Sequence, residues 1–345
     1  MMAVAALAAC TKSDVQYESA AEIAFAPVSK LNTKAAVTTT DYPDALNMYV
    51  FANAGTADAA LSTFAEPYFA NAEFTHNQRT DITLATNVFA GVTPYYWPNV
   101  KELIFSGYSK SGNVASLNPK PTYAKNADTD IWEINMTGYA PTPGTATLGD
   151  NDLMWFPTTT QSYGKTDMLG DDKEVEVVMQ HACSWVTINI KGDATTGKTG
   201  TTWQILDLTI ADLAQKGDVV LGTAASWKNL SEVKLFDVYE GTGKALTIDY
   251  VDYTKLTYQD FILIPQNTKT LKVKYSYVSQ AGGAADGNDI VVEEIKDIPL
   301  TYTNDEGWEP GVHYTYNITI GTQEILIEPT VKVWDTVPAT DVVLQ

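Results

Sequence analysis

The first residues of the chain place a cysteine where it can be covalently lipidated. A short apolar run ends in Leu7-Ala8-Ala9-Cys10, and polar residues follow at once. Small residues before a cysteine match the recognition site of a lipoprotein signal peptidase, and the Cys10 thiol would then carry diacylglycerol. The alternative is an ordinary secretory signal in which Cys10 has no role. We favour the lipoprotein signal, and because no basic residue precedes the apolar run, we expect the true start further upstream.

A second segment has the letters of a phosphate-binding loop. Gly192-Asp193-Ala194-Thr195-Thr196-Gly197-Lys198-Thr199 matches the P-loop pattern and follows a predicted strand. A P-loop opens a helix, whose N-terminus and backbone amides bind the phosphates. Residues 202–210 instead alternate apolar, β-branched and polar types, which predicts a returning strand. We therefore interpret the segment as a hairpin loop and expect no bound nucleotide.

Other residues with catalytic or metal-binding chemistry are few and scattered. The three histidines, His76, His181 and His313, have neither metal-ligand spacing nor the spacing of a catalytic triad. The acidic loops 126–130 and 286–289 lack the full ligand set of a calcium loop. We therefore predict no catalytic residues, no metal site and no cofactor, and we do not expect an enzyme.

The aromatic segment Tyr95-Tyr96-Trp97-Pro98 has two interpretations. One is a face that stacks on sugar rings, and the other is packing at the edge of a sandwich. We favour packing, since Tyr and Trp in β proteins more often serve that purpose.

Alternation of apolar and polar residues is the dominant pattern along the chain, including the segments that carry the residues named above. It recurs over short runs bounded by Gly, Asn, Asp and Pro. Only residues 57–69 compete with it as a helix or turn. The pattern predicts an all-β chain built from two antiparallel β-sandwich domains.

A break in the strand pattern between Pro157 and Lys173 gives the predicted domain boundary. The predicted division is 1–10 as signal peptide, 11–34 as propeptide with the first strand, 35–170 as N-terminal sandwich and 171–345 as C-terminal sandwich. Cys183 lies in an apolar run and should be a buried small hydrophobe. The second core should contain Trp185, Ile188 or Ile190, Ile262 or Ile264, and Trp334.

The charge balance excludes one class of partner. The formal net charge is -20, from Lys+Arg 22 and Asp+Glu 42, so the surface repels nucleic acid and anionic lipid head groups. No apolar run after Cys10 is long enough to span a bilayer. We therefore expect no nucleic-acid binding, and membrane contact only through lipid on Cys10.

Several segments together resemble the fimbrillins. The lipobox at Cys10 is followed by the short strand Glu22-Ile23-Ala24-Phe25-Ala26-Pro27 and by Ala45-Leu46-Asn47-Met48-Tyr49-Val50-Phe51-Ala52. The resemblance continues in 181–190, in Phe261-Ile262-Leu263-Ile264-Pro265-Gln266, in 308–318 and in a late Val333-Trp334. These segments span most of the chain.

The resemblance implies a fold, a location and partners. Fimbrillins of this type, the type V pilins, have two transthyretin-like sandwich domains and polymerise into surface fimbriae that serve adhesion. It implies other fimbrial subunits as partners, a surface glycan or protein as an adhesion target, and the outer membrane and fimbrium of a Gram-negative bacterium as the location. The alternative function is a permanently lipid-anchored surface protein, either a fimbrial anchor or a glycan-binding lipoprotein.

The resemblance also implies an assembly mechanism. In the family a surface protease removes the lipidated segment together with the first strand, and a neighbouring subunit fills the groove with a strand of its own. In this chain Ile23 and Phe25 would face the core from the displaced strand. Cleavage requires a basic residue after the first strand, and we expect it to follow Lys34, before Ala35, with Lys30 as the alternative. The only arginine, Arg79, lies too late in the chain to be this cleavage site, because it falls inside the predicted N-terminal sandwich.

The C-terminal segment, Thr336 to Gln345, is the candidate donor of the exchanged strand. It has few charges and carries apolar residues at Val337, Val342, Val343 and Leu344. Pro338 cannot donate a ladder hydrogen bond, so it would limit the paired part or mark a hinge. The alternative is that the segment completes its own sandwich as an edge strand.

Overall fold

The structure of the chain is a computed structural model, and each of the nineteen regular elements among its described residues is a strand. It describes residues 22–27, 47–56, 63–76, 88–98, 102–109, 117–141, 152–161, 174–193, 201–240, 246–248, 252–254, 260–267, 269–279, 290–301, 307–321 and 325–333. In this part of the chain, no helix is long and apolar enough to cross a membrane. The predicted all-β class is confirmed.

The strands are numbered in chain order. They are β1 (Ala24–Pro27), β2 (Asn47–Gly55), β3 (Glu66–His76), β4 (Phe89–Gly91), β5 (Glu102–Ser109), β6 (Thr122–Lys125), β7 (Trp132–Tyr139), β8 (Met154–Gln161), β9 (Glu174–Val177), β10 (Gln180–His181), β11 (Ser184–Gly192), β12 (Thr201–Leu221), β13 (Ala225–Glu240), β14 (Leu246–Ile248), β15 (Asp260–Leu263), β16 (Thr270–Ser279), β17 (Ile290–Pro299), β18 (Val312–Ile320) and β19 (Ile325–Val333).

The strands form three sheets. The first has eight strands in the order β10-β8-β5-β2-β3-β4-β1-β9. The second has four strands in the order β15-β11-β18-β19, and the third follows the path β17-β16-β12-β7-β6, with β13 and β14 also paired to β12. Most neighbours are antiparallel, but β1 pairs with β9, and β11 with β18, in parallel.

Two of the three hydrophobic cores correspond to the two halves of the chain. The N-terminal core lies on one face of the eight-stranded sheet and includes Phe25, Phe74 and Phe105. The C-terminal core lies between the other two sheets and includes Ile188 and Val273. This arrangement is sandwich-like, as the alternating pattern predicted.

A third cluster, the junction core, connects the halves. It includes Tyr108 and Trp155 from the eight-stranded sheet, Met136 and Val219 from the seven-stranded sheet, and Ile262 from the four-stranded sheet. All eight residues of β5 are therefore buried, because the N-terminal core covers one face of this strand and the junction core covers the other.

The junction core changes two of the predicted core positions. Both Ile188 and Ile190 lie in the C-terminal core, but Trp185 and Ile262 pack in the junction core. The residues of β15 that face the C-terminal core are Phe261 and Leu263, because the pairing of Ile262 with Trp185 turns this row of side chains to the opposite face. Trp334 lies outside the described residues.

Strands also cross the predicted boundary between residues 170 and 171. The eight-stranded sheet continues through β9 and β10, and β7 pairs with β12. The predicted break at 157–173 begins inside β8, which continues to Gln161. The division into domains 35–170 and 171–345 stays a prediction.

The predicted helix or turn at 57–69 was wrong for its last four residues. β3 begins at Glu66 and contains Phe69, which is buried in the N-terminal core. Asn71 has a φ of 53° and the pairing of β2 with β3 shifts register nearby. This irregularity breaks the strict alternation that identifies a strand from sequence.

A short crossover segment, His181-Ala182-Cys183-Ser184, contacts all three sheets. The Ala182 amide donates to the Leu153 carbonyl at 2.8 Å, and Trp227 Nε1 donates to the Ala182 carbonyl at 2.7 Å. The Gly311 amide donates to the Cys183 carbonyl at 2.9 Å. The segment is buried, so these bonds satisfy backbone groups that water does not reach.

The side chains of the crossover segment are equally buried. His181 Nδ1 and an Asp152 carboxylate oxygen lie 2.5 Å apart, with 5% and 1% of the two side chains exposed. Cys183 is fully buried as predicted, and burial raises the pKa of its thiol well above the usual value. A thiol in this environment is an inert core side chain.

A single side chain bridges a gap beside β12. β16 pairs with β12 as far as Ala211, and β7 begins to pair at Gly217. Between them the Ala214 amide donates to Gln266 Oε1 at 2.9 Å, and Gln266 Nε2 donates to the Ala214 carbonyl at 3.1 Å. The amide of Gln266 thus replaces the missing strand for one residue.

Replacing Gln266 with Leu should therefore destabilise the protein. The substitution keeps the approximate volume but leaves two buried backbone groups of Ala214 without partners, and each such group costs about 1–3 kcal/mol. We expect the free energy of unfolding in urea to fall by about 2–4 kcal/mol. The control is Gln204→Leu, at a half-buried position of β12, which should change it by less than about 1 kcal/mol. Equal effects of the two substitutions would contradict the bridging role.

Candidate functional site

The first strand is an internal strand of its sheet. β1 pairs antiparallel with β4, where Phe25 is opposite Phe89, and parallel with β9, where Phe25 is opposite Val175. The pairing begins before the strand itself, since the Ile23 amide donates to the Tyr95 carbonyl at 2.7 Å. This four-residue segment therefore completes the hydrogen-bond ladders of two neighbours that lie on opposite sides of it.

The side chains of β1 fill an aromatic pocket. Phe25 is fully buried, and its ring lies edge-on to Phe74 at 4.9 Å and to Phe105 at 5.2 Å between centroids. The Phe156 ring lies at 5.9 Å in a tilted arrangement. Edge-to-face pairs of this kind stabilise beyond the area they bury. Phe25 is thus the principal anchor of the first strand.

Ile23 is the second anchor. It is fully buried in the N-terminal core, two positions before Phe25, as expected for side chains on one face of a strand. The prediction that both residues face the core is confirmed by their burial. The observed strand, Ala24–Pro27, lies within the predicted Glu22–Val28.

The groove around β1 is defined by the residues that β1 covers. Its two edges are β4 and β9, and its apolar floor includes Phe74, Phe105 and Val175. Without β1 both edges would present unpaired backbone amides and carbonyls above an exposed apolar floor. Such a groove binds an extended segment through ladder hydrogen bonds and side-chain pockets together.

Most other predicted site residues lie outside the described part of the chain. These residues are Cys10, Lys30, Lys34, Ala35, Val337, Val342, Val343 and Leu344. Lipidation, processing and strand donation at these positions stay predictions.

The P-loop-like segment follows a strand and precedes another strand, β12. The hairpin interpretation was wrong, however, because β11 lies in the four-stranded sheet and β12 lies in the seven-stranded sheet. The first glycine of the motif, Gly192, serves packing: a Cβ atom there would lie 2.8 Å from Trp203 Cδ1. A glycine is thus needed where the two sheets approach each other.

Of the two acidic loops, 126–130 has structural partners, whereas 286–289 lies outside the described residues. Asn126 Oδ1 accepts from the amides of Asp128 and Thr129, and Asp130 pairs with Lys125 at 2.5 Å, so 126–130 is a self-satisfied turn. Among the described residues, no group of three His, Cys, Asp or Glu residues is placed to hold a metal ion.

The three histidines have different partners in different parts of the structure. His76 packs against Phe89 with 4.9 Å between ring centroids, and His181 pairs with Asp152. His313 stacks on Trp185 at 3.9 Å, and its Nε2 lies 2.8 Å from Thr187 Oγ1. Each histidine therefore has a structural role in a different place.

The aromatic segment at Tyr95 packs against the first strand's pocket. Trp97 is buried, and Tyr95 lies 4.4 Å from Phe69 between ring centroids. Only Tyr96 is substantially exposed, at 47%, and Tyr68 donates to its carbonyl through the phenol group. Tyr95 and Trp97 therefore pack against the sheet, as the second interpretation predicted. With only Tyr96 exposed, this segment does not form a flat face on which sugar rings could stack.

The partners of β1 could not be found from sequence. Phe74, Phe105 and Phe156 belong to three different strands, and Val175 is 150 positions after Phe25. An apolar residue in a strand predicts burial but not which distant strand it meets.

Two kinds of comparison relate the chain to known proteins. A family model described as Fimbrillin-like matches residues 33–334. A solved fimbrial protein from Bacteroides vulgatus is 15% identical, with a TM-score of 0.60 over 91% of this chain and 99% of that chain. A putative cell adhesion protein from Parabacteroides distasonis is 11% identical, with a TM-score of 0.52 over 93% of this chain and 99% of that chain. No curated protein matches the chain.

Replacing Ile23 and Phe25 together with Asp should destabilise the unprocessed chain. Two carboxylates would be buried without partners in the aromatic pocket, at a cost of several kcal/mol in total. We expect a melting temperature at least about 10 °C lower, measured by thermal unfolding of the full chain.

The matched control makes the same apolar-to-acidic change at Ile295, which is 68% exposed. We expect Ile295→Asp to leave the melting temperature within about 2 °C of the parent value. If the double substitution in β1 has no larger effect than this control, β1 does not dock in the groove in solution.

Proposed function

Because the chain belongs to the fimbrillin-like family, we propose that it is a structural and adhesive subunit of a surface fimbria that assembles by strand exchange. The proposal extends to export as a lipoprotein through Cys10, to the outer membrane of a Gram-negative bacterium, and to other fimbrial subunits as partners. We infer a structural subunit rather than an enzyme, since family membership points to fimbriae.

The observation that carries the proposal is the placement of β1. This strand of only four residues is paired on both sides, and two large side chains, Phe25 in the strand and Ile23 just before it, are fully buried. Its removal would leave a groove complementary to another extended segment, and a subunit that fills the groove of the next adds to it head to tail. Repeated addition of this kind does not close, so it produces a filament.

The chain offers a site for removal of β1. Lys34 lies in the chain between β1 and β2, so cleavage after it would release β1 and leave every other strand among the described residues uncut. The family match begins at residue 33, one position before this lysine. We propose Lys34 as the processing site and Ala35 as the new N-terminus.

The chain also offers a candidate replacement. Val342 and Leu344 repeat the two-residue spacing of Ile23 and Phe25, so they can enter the same two pockets from one face of a strand. We propose that the segment with Val337, Val342, Val343 and Leu344 fills the groove of the next subunit.

Processing at Lys34 predicts a defined N-terminus on cells. We expect mass analysis of surface protein from the native host to give chains that begin at Ala35 and lack Cys10. Lys34→Gln should keep the chain unprocessed and monomeric, because an occupied groove accepts no donor. Lys30→Gln is the matched control and should be processed normally. Fibres built from chains that retain Cys10 would contradict removal of β1.

Deletion of residues 340–345 tests the donor segment. We expect a processed, folded monomer that does not extend a fibre, measured by electron microscopy and by ladders on unheated gels. The control is Asp341→Asn, which keeps every apolar side chain of the segment and should assemble normally. Fibres of normal length from the truncated chain would exclude the donor role and favour the segment as an edge strand of its own sandwich.

A further inference from the structure

A polar cleft lies on the sheet face opposite the junction core. In it β6, β7, β12 and β13 lie side by side, with Asn135 opposite Val220 and Val220 opposite Ser226. The cleft has a volume of about 390 Å³, within the range of small-molecule sites. Its polar lining is Lys125, Asn126, Glu133, Asn135, Ser226 and Lys228.

The carboxylate of Glu133 is held in a fixed position in this cleft. Asn126 Nδ2 lies 3.1 Å from each of its two oxygens. Gly222 leaves the space beside it open, since a Cβ atom there would lie 3.2 Å from Glu133 Cγ and 3.3 Å from Oε1. A carboxylate held in this way accepts hydrogen bonds from ligand hydroxyl groups without first being ordered.

The cleft is less acidic than the chain as a whole, because its lining holds two lysines and one carboxylate. The formal net charge of the chain is -20, yet two ammonium groups lie in this one cleft. Lys125 is paired with Asp130 at 2.5 Å. Lys228 forms no ion pair with a described residue, so its ammonium is available to a ligand anion.

We propose that this cleft binds a hydroxyl-rich ligand that carries a carboxylate, of the hexuronic acid type. The Lys228 ammonium would pair with the ligand carboxylate, and Glu133, Asn135 and Ser226 would bind its hydroxyl groups. The proposal deepens the adhesive role and rests on the proposed function for its setting. It names acidic saccharides as the class of adhesion target.

The lining also sets the expected strength of binding. The described residues that line the cleft include no aromatic ring, so a sugar ring would find no stacking surface in it. One cleft should therefore bind weakly, with a dissociation constant in the millimolar range. A filament repeats the cleft in every subunit, and simultaneous binding of several clefts to one polysaccharide raises the overall affinity.

The test compares two sugars that differ only at one carbon. D-glucuronate and D-glucose are titrated into the full unprocessed chain, and binding is followed by isotope-edited NMR. We expect glucuronate to bind at least about tenfold more tightly than glucose, because only glucuronate offers a carboxylate to Lys228. Lys228→Gln should weaken glucuronate binding at least about fivefold. The matched control Lys272→Gln removes a lysine paired with Asp297 on β17 and should change nothing.

Three results would overturn the proposal. They are equal binding of the two sugars, no binding of glucuronate at about 50 mM, which is well above a dissociation constant of about 1 mM, and unchanged binding by Lys228→Gln. Fibre assembly is measured separately on Lys228→Gln, which leaves β1 and the C-terminal segment intact. Normal fibres without glucuronate binding would refute the ligand but not strand exchange, and binding without fibres would refute only strand exchange.

Discussion

The architecture depends on satisfying the backbone of one buried crossover, the segment from His181 to Ser184. Its carbonyls and amides bond to a residue next to β8, to Trp227 in β13 and to the loop before β18, so each of the three sheets contributes a partner. The Asp152–His181 pair closes the same region with two buried polar side chains. Because buried groups without partners are costly, this segment fixes the relative positions of the sheets.

β1 is held in a different way. It lies between β4 and the edge strand β9, and Phe25 in it and Ile23 just before it fill the N-terminal core. The backbone bonds of the crossover involve none of these residues. The N-terminal core contains β1, whereas the junction core contains none of its residues. The contacts that position β1 are therefore separate from the contacts that join the two halves of the chain.

The burial of side chains could be predicted from sequence where apolar residues alternate with the period of a strand. Ile23 and Phe25 alternate with small residues, and their burial followed from that pattern. Contacts between distant strands could not be predicted, so Phe74, Phe105, Phe156 and the role of Gln266 appeared only in the structure. The face of β15 was assigned wrongly, since a shift by one residue exchanges Ile262 for Phe261. Residues 66–69 were predicted as helix or turn and not as part of β3, because Asn71, with its positive φ, interrupts the alternation of this strand.

The parallel pairing of β1 with β9 also has a consequence for the order of folding. β1 is synthesised early, but Val175, the partner of Phe25, is added 150 residues later. Contacts between residues so far apart in the chain form slowly, because a long loop must close before they gain any stabilisation. One side of β1 therefore has no partner strand until residues 174–177 have been added, so the ladder between β1 and β9 is among the last of the eight-stranded sheet to form.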